Sequence, residues 1–339
     1  MALYNRIDGR SLKAQMQDLK EKRVTISFYK YHPISDPQAF RDALYVNLET
    51  IGVLGRIYVA SEGINAQISV ADEKLEAFRI YLYSITFLEN VRLNIAIQDS
   101  GKSFFKLKIL IRKKIVADGL PDDTFDLRNT GKHVDAATFN SLADDPNTVL
   151  VDMRNHYESE VGRFRNAICP DVDTFREELQ VVENLMKDQQ DKNLLMYCTG
   201  GIRCEKASAW MKHQGFKNVF QLDGGIIEYA RQVRASGIEN KFIGKNFVFD
   251  ERLGERISDD IIAVCHQCGK PSDDHTNCRN DGCHLLFIQC PDCSERYENC
   301  CSTACQDILA LPAPLQKEIR RGINKGRQVF KKGRSGNTA

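Results

Sequence analysis

One cysteine of this chain lies where a reactive thiol is expected. Cys198 follows an apolar run at 193–196 and precedes an amphipathic segment that ends near Gln214, which places it in a strand-to-helix turn. The first N–H groups of a helix have no intrahelical partner, and the helix dipole favours anions there. In such surroundings the pKa of a thiol falls from about 8.5 into the range of roughly 3.5 to 7.5, which yields the nucleophilic thiolate. We therefore predict that Cys198 is catalytic and meets an incoming reactant.

The residues after Cys198 are those that an anionic sulfur requires. Gly200 and Gly201 allow the backbone to curl so that successive amides converge on the sulfur, and Arg203 adds a fixed positive charge. The alternative interpretation is a small buried hydrophobic residue at a strand end, but it does not explain these residue types. The predicted anion-holding loop consists of Thr199, Gly200, Gly201, Ile202 and Arg203.

Length and composition indicate a globular protein of several domains. A chain of 339 residues that is 42% hydrophobic and 27% charged fits two or three domains. No stretch approaches the roughly 20 apolar residues of a membrane helix, and the first residues lack the pattern of a secretory signal. We expect a cytoplasmic protein with no membrane partner. The net charge of +1 gives the whole molecule no strong attraction to polyanions.

Residues 1–120 show the pattern of an α+β domain. Strand signals lie at 24–31, 56–60, 64–70 and 92–97, and helix signals lie at 37–51 and 71–85, with Asp36 as a candidate N-cap. The order β-α-β-β-α-β is the ferredoxin-like split motif. We expect a ferredoxin-like N-terminal domain.

A basic and aromatic stretch at 104–114 follows this pattern. An edge strand protected by lysines would have the same sequence and is the simpler interpretation. The alternative is a nucleic-acid surface, on which Phe104 and Phe105 stack on bases while the lysines meet phosphates.

Residues 131–238 show the alternation of an α/β domain with a parallel sheet. Strands are predicted at 148–153, 193–197 and 218–222, and helices at 172–186, at 203–214 and from 226 to about 234. Ligands of such sheets bind beyond the carboxyl ends of the strands, and Cys198 lies at one of these ends.

Four segments of this domain match the rhodanese fold in order and spacing: 151–154, Glu158 with Gly162, 198–203 and 222–226. The resemblance implies that Cys198 carries a persulfide, that the amides of Thr199 to Arg203 hold its charge, and that Asp152 and Arg154 support the loop from the neighbouring strand. Residues 198–203 form a loop of six, the length that suits a sulfur atom in this family, whereas related phosphatases use a loop one residue longer. A phosphatase is therefore disfavoured.

Residues 239–312 form a cysteine-rich segment that is typical of zinc binding. Nine of the 12 cysteines lie between Cys265 and Cys305, and paired C-x-x-C motifs place two thiolates at adjacent corners of a tetrahedron. The first predicted metal site consists of Cys265, Cys268, Cys290 and Cys293. A second would consist of Cys278, Cys283, Cys300 and Cys305, with Cys301 spare and with His266 or His284 able to replace a sulfur in either. Redox-active disulfides, free thiols and an iron–sulfur cluster are the alternatives.

Residues 313–339 form a basic tail. Residues 315–334 contain a single acidic residue, Glu318, and eight basic residues: Lys317, Arg320, Arg321, Lys325, Arg327, Lys331, Lys332 and Arg334. A solvated face has this composition, and so does a surface that binds the phosphates of RNA.

The order of the three domains and the sequence C-T-G-G-I-R-C-E-K-A-S at 198–208 resemble the bacterial tRNA uridine hydroxylases over nearly the whole chain. That family converts the wobble uridine of certain tRNAs to 5-hydroxyuridine with molecular oxygen. The resemblance implies an oxygen-dependent tRNA-modifying enzyme with tRNA as its partner and a persulfide or thiolate at Cys198.

Other functions remain open from the residues themselves. A sulfurtransferase or persulfide carrier would use the same cysteine, with Cys204 as a candidate resolving thiol, and a non-catalytic RNA-binding scaffold would use the basic stretches. No Gly-x-Gly-x-x-Gly predicts a nucleotide cofactor, and the sequence His133-Val134-Asp135 lacks the distal histidine of an iron site. The oligomeric state is not predicted.

Overall fold

The first domain is built on a five-stranded sheet. The computed structural model describes residues 3, 12, 21–99, 101–121, 124–322 and 328–330. The strands are β1 (Arg23–Tyr31), β2 (Leu54–Ala60), β3 (Gly63–Ala71), β4 (Asn94–Ile95) and β5 (Leu107–Ile111), and the helices are α1 (Pro37–Ile51) and α2 (Leu75–Ser84). The strand order β4-β1-β3-β2-β5 is antiparallel except where β5 pairs with β2. The ferredoxin-like prediction is confirmed, with β5 added as an edge strand.

The helices of this domain begin and end where capping chemistry places them. The Ala39 N–H donates to Asp36 Oδ1 at 2.9 Å, as the predicted N-cap requires, and Gly52 at φ 83° ends α1. The predicted helix at 71–85 is instead a 3₁₀ turn, Asp72–Lys74, followed by α2.

The two faces of this sheet differ in chemistry because side chains alternate along each strand. One face, with Ile26 and Phe28 of β1, packs against α1 and α2 in the domain core. The other face carries Ser27 and Tyr29 of β1 and their partners Gln67 and Asn65 of β3. This polar face lies toward the second domain, where the Tyr29 hydroxyl donates to Glu205 Oε1 at 2.9 Å.

The second domain has a four-stranded parallel sheet. Its strands are β6 (Lys132–Val134), β7 (Thr148–Asp152), β9 (Asn193–Tyr197) and β10 (Val219–Leu222), in the order β6-β10-β9-β7. Its helices are α3 (Ala136–Asp144), α4 (His156–Ser159), α5 (Phe175–Met186), α6 (Ile202–His213) and α7 (Gly225–Ser236). Separate apolar clusters cover the two sheet faces, which confirms the α/β prediction. The carboxyl ends of β7 and β9 meet at one edge.

The third segment joins the second domain through its first strand. The strand β11 (Phe242–Asn246) pairs antiparallel with β8 (Gly162–Phe164) and carries β12 (Glu255–Arg256) on its other side. The remaining elements are β13 (His275–Asn277), β14 (Leu286–Ile288), α8 (Pro291–Arg296), α9 (Thr303–Ala310) and α10 (Ala313–Arg320). Of the predicted basic tail, Lys317 and Arg320 lie in α10 and Arg321 follows it. Lys325, Arg327, Lys331, Lys332 and Arg334 lie outside the described residues.

Across the residues that the structure describes, we find no helix with the length and apolar character needed to cross a membrane.

Candidate active site

The backbone turns sharply between β9 and α6, and glycines make the turn possible. Gly201 has φ 101°, in the left-handed region that favours glycine. Gly225, at the start of α7, lies against the turn, because a Cβ there would come within 2.6 Å of the carbonyl oxygens of Cys198 and Thr199. Both predicted glycine-rich segments thus shape the backbone around Cys198.

The Cys198 sulfur is held as an anion by the groups around it. Burial by itself raises the pKa of this thiol, but a hydrogen bond from the Cys204 thiol, the charge of Arg203 and the amides of Cys204 and Arg203 outweigh burial and lower the pKa to about 6. The Gly201 N–H also donates to Cys198 Sγ at 3.2 Å. Cys198 is therefore mostly thiolate at neutral pH. The Cys204 amide, which lies one residue beyond the predicted loop, also helps to lower the pKa of Cys198.

Cys198 does not lie at the protein surface. The residue is only 1% exposed, and it lines a cavity of about 340 Å³ between the 198–203 loop and the polar face of the first domain. The position of Cys198 at a strand end did not predict this enclosure, because most of the other lining residues come from the first domain and from residues 248–255 of the third segment. A reactant reaches the sulfur only by entering the cavity.

Arg203 fixes the loop through a buried ion pair. Its guanidinium donates to both carboxylate oxygens of Glu158, at 2.7 and 2.9 Å, and to Thr199 Oγ1 at 3.3 Å. Burial would raise the pKa of Glu158, but the adjacent Arg203 charge outweighs burial and lowers it. Sequence reasoning noted Glu158 only as part of the rhodanese pattern and missed this pairing, which joins α4 to the loop.

The predicted supports Asp152 and Arg154 lie at and just after the end of β7, the strand beside β9. The Arg154 side chain donates to Asp152 at 2.9 and 2.7 Å and to the Gly162 carbonyl at 2.6 Å, and both residues are fully buried. The Tyr197 hydroxyl donates to Asp152 Oδ2 at 2.7 Å. The pair thus contacts Tyr197, the residue before Cys198, and its role in supporting the loop stays a prediction.

Sequence reasoning missed the cavity residues of the first domain. Polar side chains from four of its strands line the cavity with Cys198: Tyr29, Arg56, Gln67 and Asn94. Their only signal in the sequence was alternation, since polar residues occupy every second position of β1 and β3. An exposed sheet face has the same alternation, so this signal alone did not assign them to a site.

The aromatic prediction for the basic stretch was wrong at Phe104. This side chain is 7% exposed and packs inside the protein, so it is not available to stack on a base. Phe105 is half-buried beside the Lys106 ammonium, which lies 5.7 Å from the ring centroid. The stretch contains the edge strand β5, and exposed positive side chains lie on or beside it at Lys108, Arg112 and Lys113.

The first predicted metal site is assembled in the structure. The sulfurs of Cys265, Cys268, Cys290 and Cys293 lie within 4.8 Å of one another, and those of Cys268 and Cys290 are 3.6 Å apart. Zinc–sulfur bonds of about 2.3 Å in a tetrahedron separate the sulfurs by about 3.8 Å. The donor set therefore fits a structural zinc ion, which would stabilise a segment with little core of its own.

The second predicted site was wrong in one member. The tetrad is Cys278, Cys283, Cys301 and Cys305, and the Cys301 sulfur lies 3.7 Å from those of Cys283 and Cys305. Cys300 is fully buried outside the tetrad, and its carbonyl accepts from Gln267 and Gln289. The turn before α9 places the Cys301 sulfur in the tetrad, and the Cys300 thiol hydrogen-bonds with Cys278 from outside it.

Neither histidine replaces a sulfur in these tetrads. His266 Nε2 lies 2.8 Å from Glu160 Oε1, and its Nδ1 accepts from the Ile288 N–H, so both ring nitrogens are engaged. His284 belongs to neither group. All 12 cysteines are free, so the structure contains none of the alternative disulfides.

Three family models match consecutive parts of the chain. A UPF0176 acylphosphatase-like domain matches residues 23–115, a rhodanese-like domain matches 135–232, and a rhodanese C-terminal model matches 243–306. Among solved structures, a rhodanese-like domain protein from Staphylococcus aureus is 20% identical, with a TM-score of 0.24 over 29% of this chain and 90% of its own.

Curated relatives match almost the whole chain. A tRNA uridine(34) hydroxylase from Pectobacterium atrosepticum is 59% identical over 331 residues, which is 97% of this chain and 93% of the relative. The protein of the same name from Escherichia fergusonii is 56% identical over 333 residues, 98% of this chain and 95% of its own. This chain belongs to the tRNA uridine(34) hydroxylase family.

Proposed function

We propose that this protein hydroxylates the wobble uridine of tRNA to 5-hydroxyuridine, with molecular oxygen as co-substrate and Cys198 as the catalytic residue. The observation that carries the proposal is a thiol with a pKa of about 6 that lines a cavity of about 340 Å³. The relatives that match nearly the full length bear this activity in their name.

The enclosure of Cys198 suits a single nucleobase. A residue that is 1% exposed cannot reach a base inside a helical stack, so the target base must swing out into the cavity. Anticodon-loop bases are unstacked at low cost, and proteins that read RNA sequence commonly use such bases. The cavity volume is in the range of small-molecule sites and admits a base while excluding the folded RNA.

The thiolate provides covalent activation of the ring. Cys198 Sγ adds to C6 of uracil, and the electron pair of the C5=C6 bond moves to C5 and O4 as an enolate. After C5 is oxidised, loss of the C5 proton expels the thiolate and restores the double bond. One atom of molecular oxygen enters the base and the other leaves as water, with two electrons and two protons from a thiol reductant.

Positive side chains outside the cavity supply attraction to the tRNA backbone. Lys108, Arg112 and Lys113 are exposed at the edge of the first domain. Such residues neutralise phosphates without reading sequence, and their contribution weakens as salt rises. With tRNA as the substrate, we expect the reaction to take place in the cytoplasm.

The experiment is mass spectrometry of tRNA nucleosides from cells that lack the gene and carry one variant. Wild type restores 5-hydroxyuridine, Cys198→Ser does not, and the control Cys169→Ser does, because Cys169 lies outside the cavity and burial raises the pKa of its thiol to about 12. Full 5-hydroxyuridine with Cys198→Ser would contradict the catalytic role. Loss of a thiolated nucleoside instead would favour the sulfurtransferase.

A further inference from the structure

We propose that the side-chain amide of Asn94 binds the N3–H and O4 edge of the target uracil and holds the base at Cys198. This inference rests on the proposed function and adds the residue that recognises the base. Asn94 lies in β4 of the first domain, whereas Cys198 lies in the second domain.

Asn94 has the environment of a ligand-binding amide. It is 4% exposed and lines the same cavity as Cys198. Its Oδ1 atom is buried and has no hydrogen-bond partner within the described part of the chain. Leaving a buried acceptor unsatisfied is destabilising, and nearly all such groups in proteins are paired. A ligand in the cavity would supply the missing donor.

The backbone directs this amide toward the catalytic loop. Asn94 is paired with Ser27 of β1 in the antiparallel register, so its strand is fixed at the sheet edge. Its Nδ2 atom lies 3.4 Å from the position that a Cβ on Gly200 would take. The absence of a side chain at Gly200 thus lets the amide approach the loop two residues after Cys198.

The amide matches the uracil edge in hydrogen-bonding character. A carboxamide offers one acceptor oxygen beside an NH₂ donor, and uracil offers the N3–H donor beside the O4 acceptor. Two parallel hydrogen bonds form, as when asparagine reads the edge of adenine in DNA. The paired bonds orient the ring as well as bind it, which directs C5 and C6 relative to the sulfur.

Three neighbouring polar residues of the first-domain wall already donate hydrogen bonds within the protein. The Arg56 guanidinium donates to the Phe249 carbonyl at 2.9 Å. Gln67 Nε2 donates to Asn65 Oδ1 at 2.6 Å, and Asn65 Nδ2 donates to the Ile115 carbonyl at 3.2 Å. Asn94 is the buried amide of this wall whose acceptor has no hydrogen-bond partner among the described residues.

The test is anaerobic fluorescence titration of the full-length protein with labelled anticodon stem-loop RNA. One RNA carries uridine at the wobble position, and the other carries pyrimidin-2-one ribonucleoside, which lacks O4 and the N3–H but adds no bulk. Wild type should prefer the uridine RNA about 10-fold, the effect of about 1.4 kcal/mol of hydrogen bonding. Asn94→Leu should bind both RNAs equally, at the weaker affinity.

Two further variants make the test decisive. Asn94→Asp keeps the shape and loses both donors, so it should show a smaller preference even if the leucine variant fails to fold. Asn218→Leu replaces an exposed asparagine just before the start of β10 and should retain the wild-type preference. An undiminished preference in either Asn94 variant, or no preference in wild type, would overturn the inference.

Failure of the inference is distinguishable from failure of the proposed function. The titration measures recognition of the base without turnover. The appearance of 5-hydroxyuridine in cells with wild type and its loss with Cys198→Ser test the reaction separately. A reaction that depends on Cys198 together with base binding that ignores Asn94 would overturn only the role of Asn94.

Discussion

Cys198 and the two cysteine tetrads place the same side chain in opposite settings. At Cys198 the charge of one sulfur is stabilised by amides, a thiol and an arginine that the fold already holds in place. In each tetrad four sulfurs lie within 4.8 Å, an arrangement whose charge a bound cation would balance. The thiolate of Cys198 is thus stabilised by residues a few positions away in the chain, whereas each tetrad brings together cysteines from separate segments.

The largest effect on stability is expected from removing a cysteine of the second tetrad. Cys301→Ala should reduce the zinc content of the purified protein from two ions per chain to one, because Cys301 belongs to the tetrad. Thermal unfolding should shift to lower temperature, since ~10 kcal/mol of metal binding is coupled to folding at structural zinc sites. Metal analysis by mass spectrometry provides the measurement. The matched control Cys300→Ala should keep both ions; if it loses one and Cys301→Ala does not, the corrected ligand set is wrong.

A smaller loss of stability is expected when the buried Asp152–Arg154 ion pair is broken. Arg154→Met leaves the fully buried Asp152 without its ion-pair partner, which should lower the free energy of unfolding by about 3–5 kcal/mol. Urea unfolding measures the change. The control Arg128→Met removes the exposed pair with Asp126 and should leave the midpoint unchanged. Equal unfolding midpoints for the two variants would contradict a stabilising role for the Asp152–Arg154 ion pair.

A modest gain in stability is expected from replacing Glu178. This residue is buried on α5, and within the part of the chain that the structure describes neither of its carboxylate oxygens is hydrogen-bonded. Burial raises the pKa of this carboxyl well above its usual value, despite the charge of Arg203. Below the unfolded pKa both states are protonated and the group contributes no pH dependence. As pH rises above it, only the unfolded chain releases the proton, so the folded state loses relative stability.

Glu178→Gln removes this penalty. The variant should be more stable than wild type by on the order of 1 kcal/mol at neutral pH, and the gain should vanish below about pH 4. Urea unfolding at several pH values measures the difference, with Glu76→Gln, on the exposed side of α2, as the control. A destabilised Glu178→Gln at neutral pH would mean that the carboxylate is charged and paired with Arg203.

The sequence predicted those features whose causes are local. The turn at Cys198 and the cap at Asp36 depend on residue types within a few positions, and each was found where the pattern placed it. The first tetrad follows from two C-x-x-C motifs. The choice between Cys300 and Cys301 could not be predicted, because it depends on the direction of the turn before α9.

The cavity itself could not be predicted from local patterns. Asn94 and Tyr29 approach Cys198 only because the sheet of the first domain lies over the second, and these residues are separated from Cys198 by more than 100 positions. The burial of Phe104 was likewise not predicted, since alternation with lysines does not show which side chains are covered. The local pattern thus identified the nucleophile but not its enclosure.

The most direct test of the account is the pH dependence of Cys198 alkylation. Full-length protein is treated with iodoacetamide from acid to alkaline pH, and the rate at the Cys198 peptide is followed by mass spectrometry. The account predicts a midpoint near pH 6, since the thiolate is the reactive form. A midpoint near 8.5, the value of an ordinary free thiol, would contradict the claim that the loop holds Cys198 as an anion.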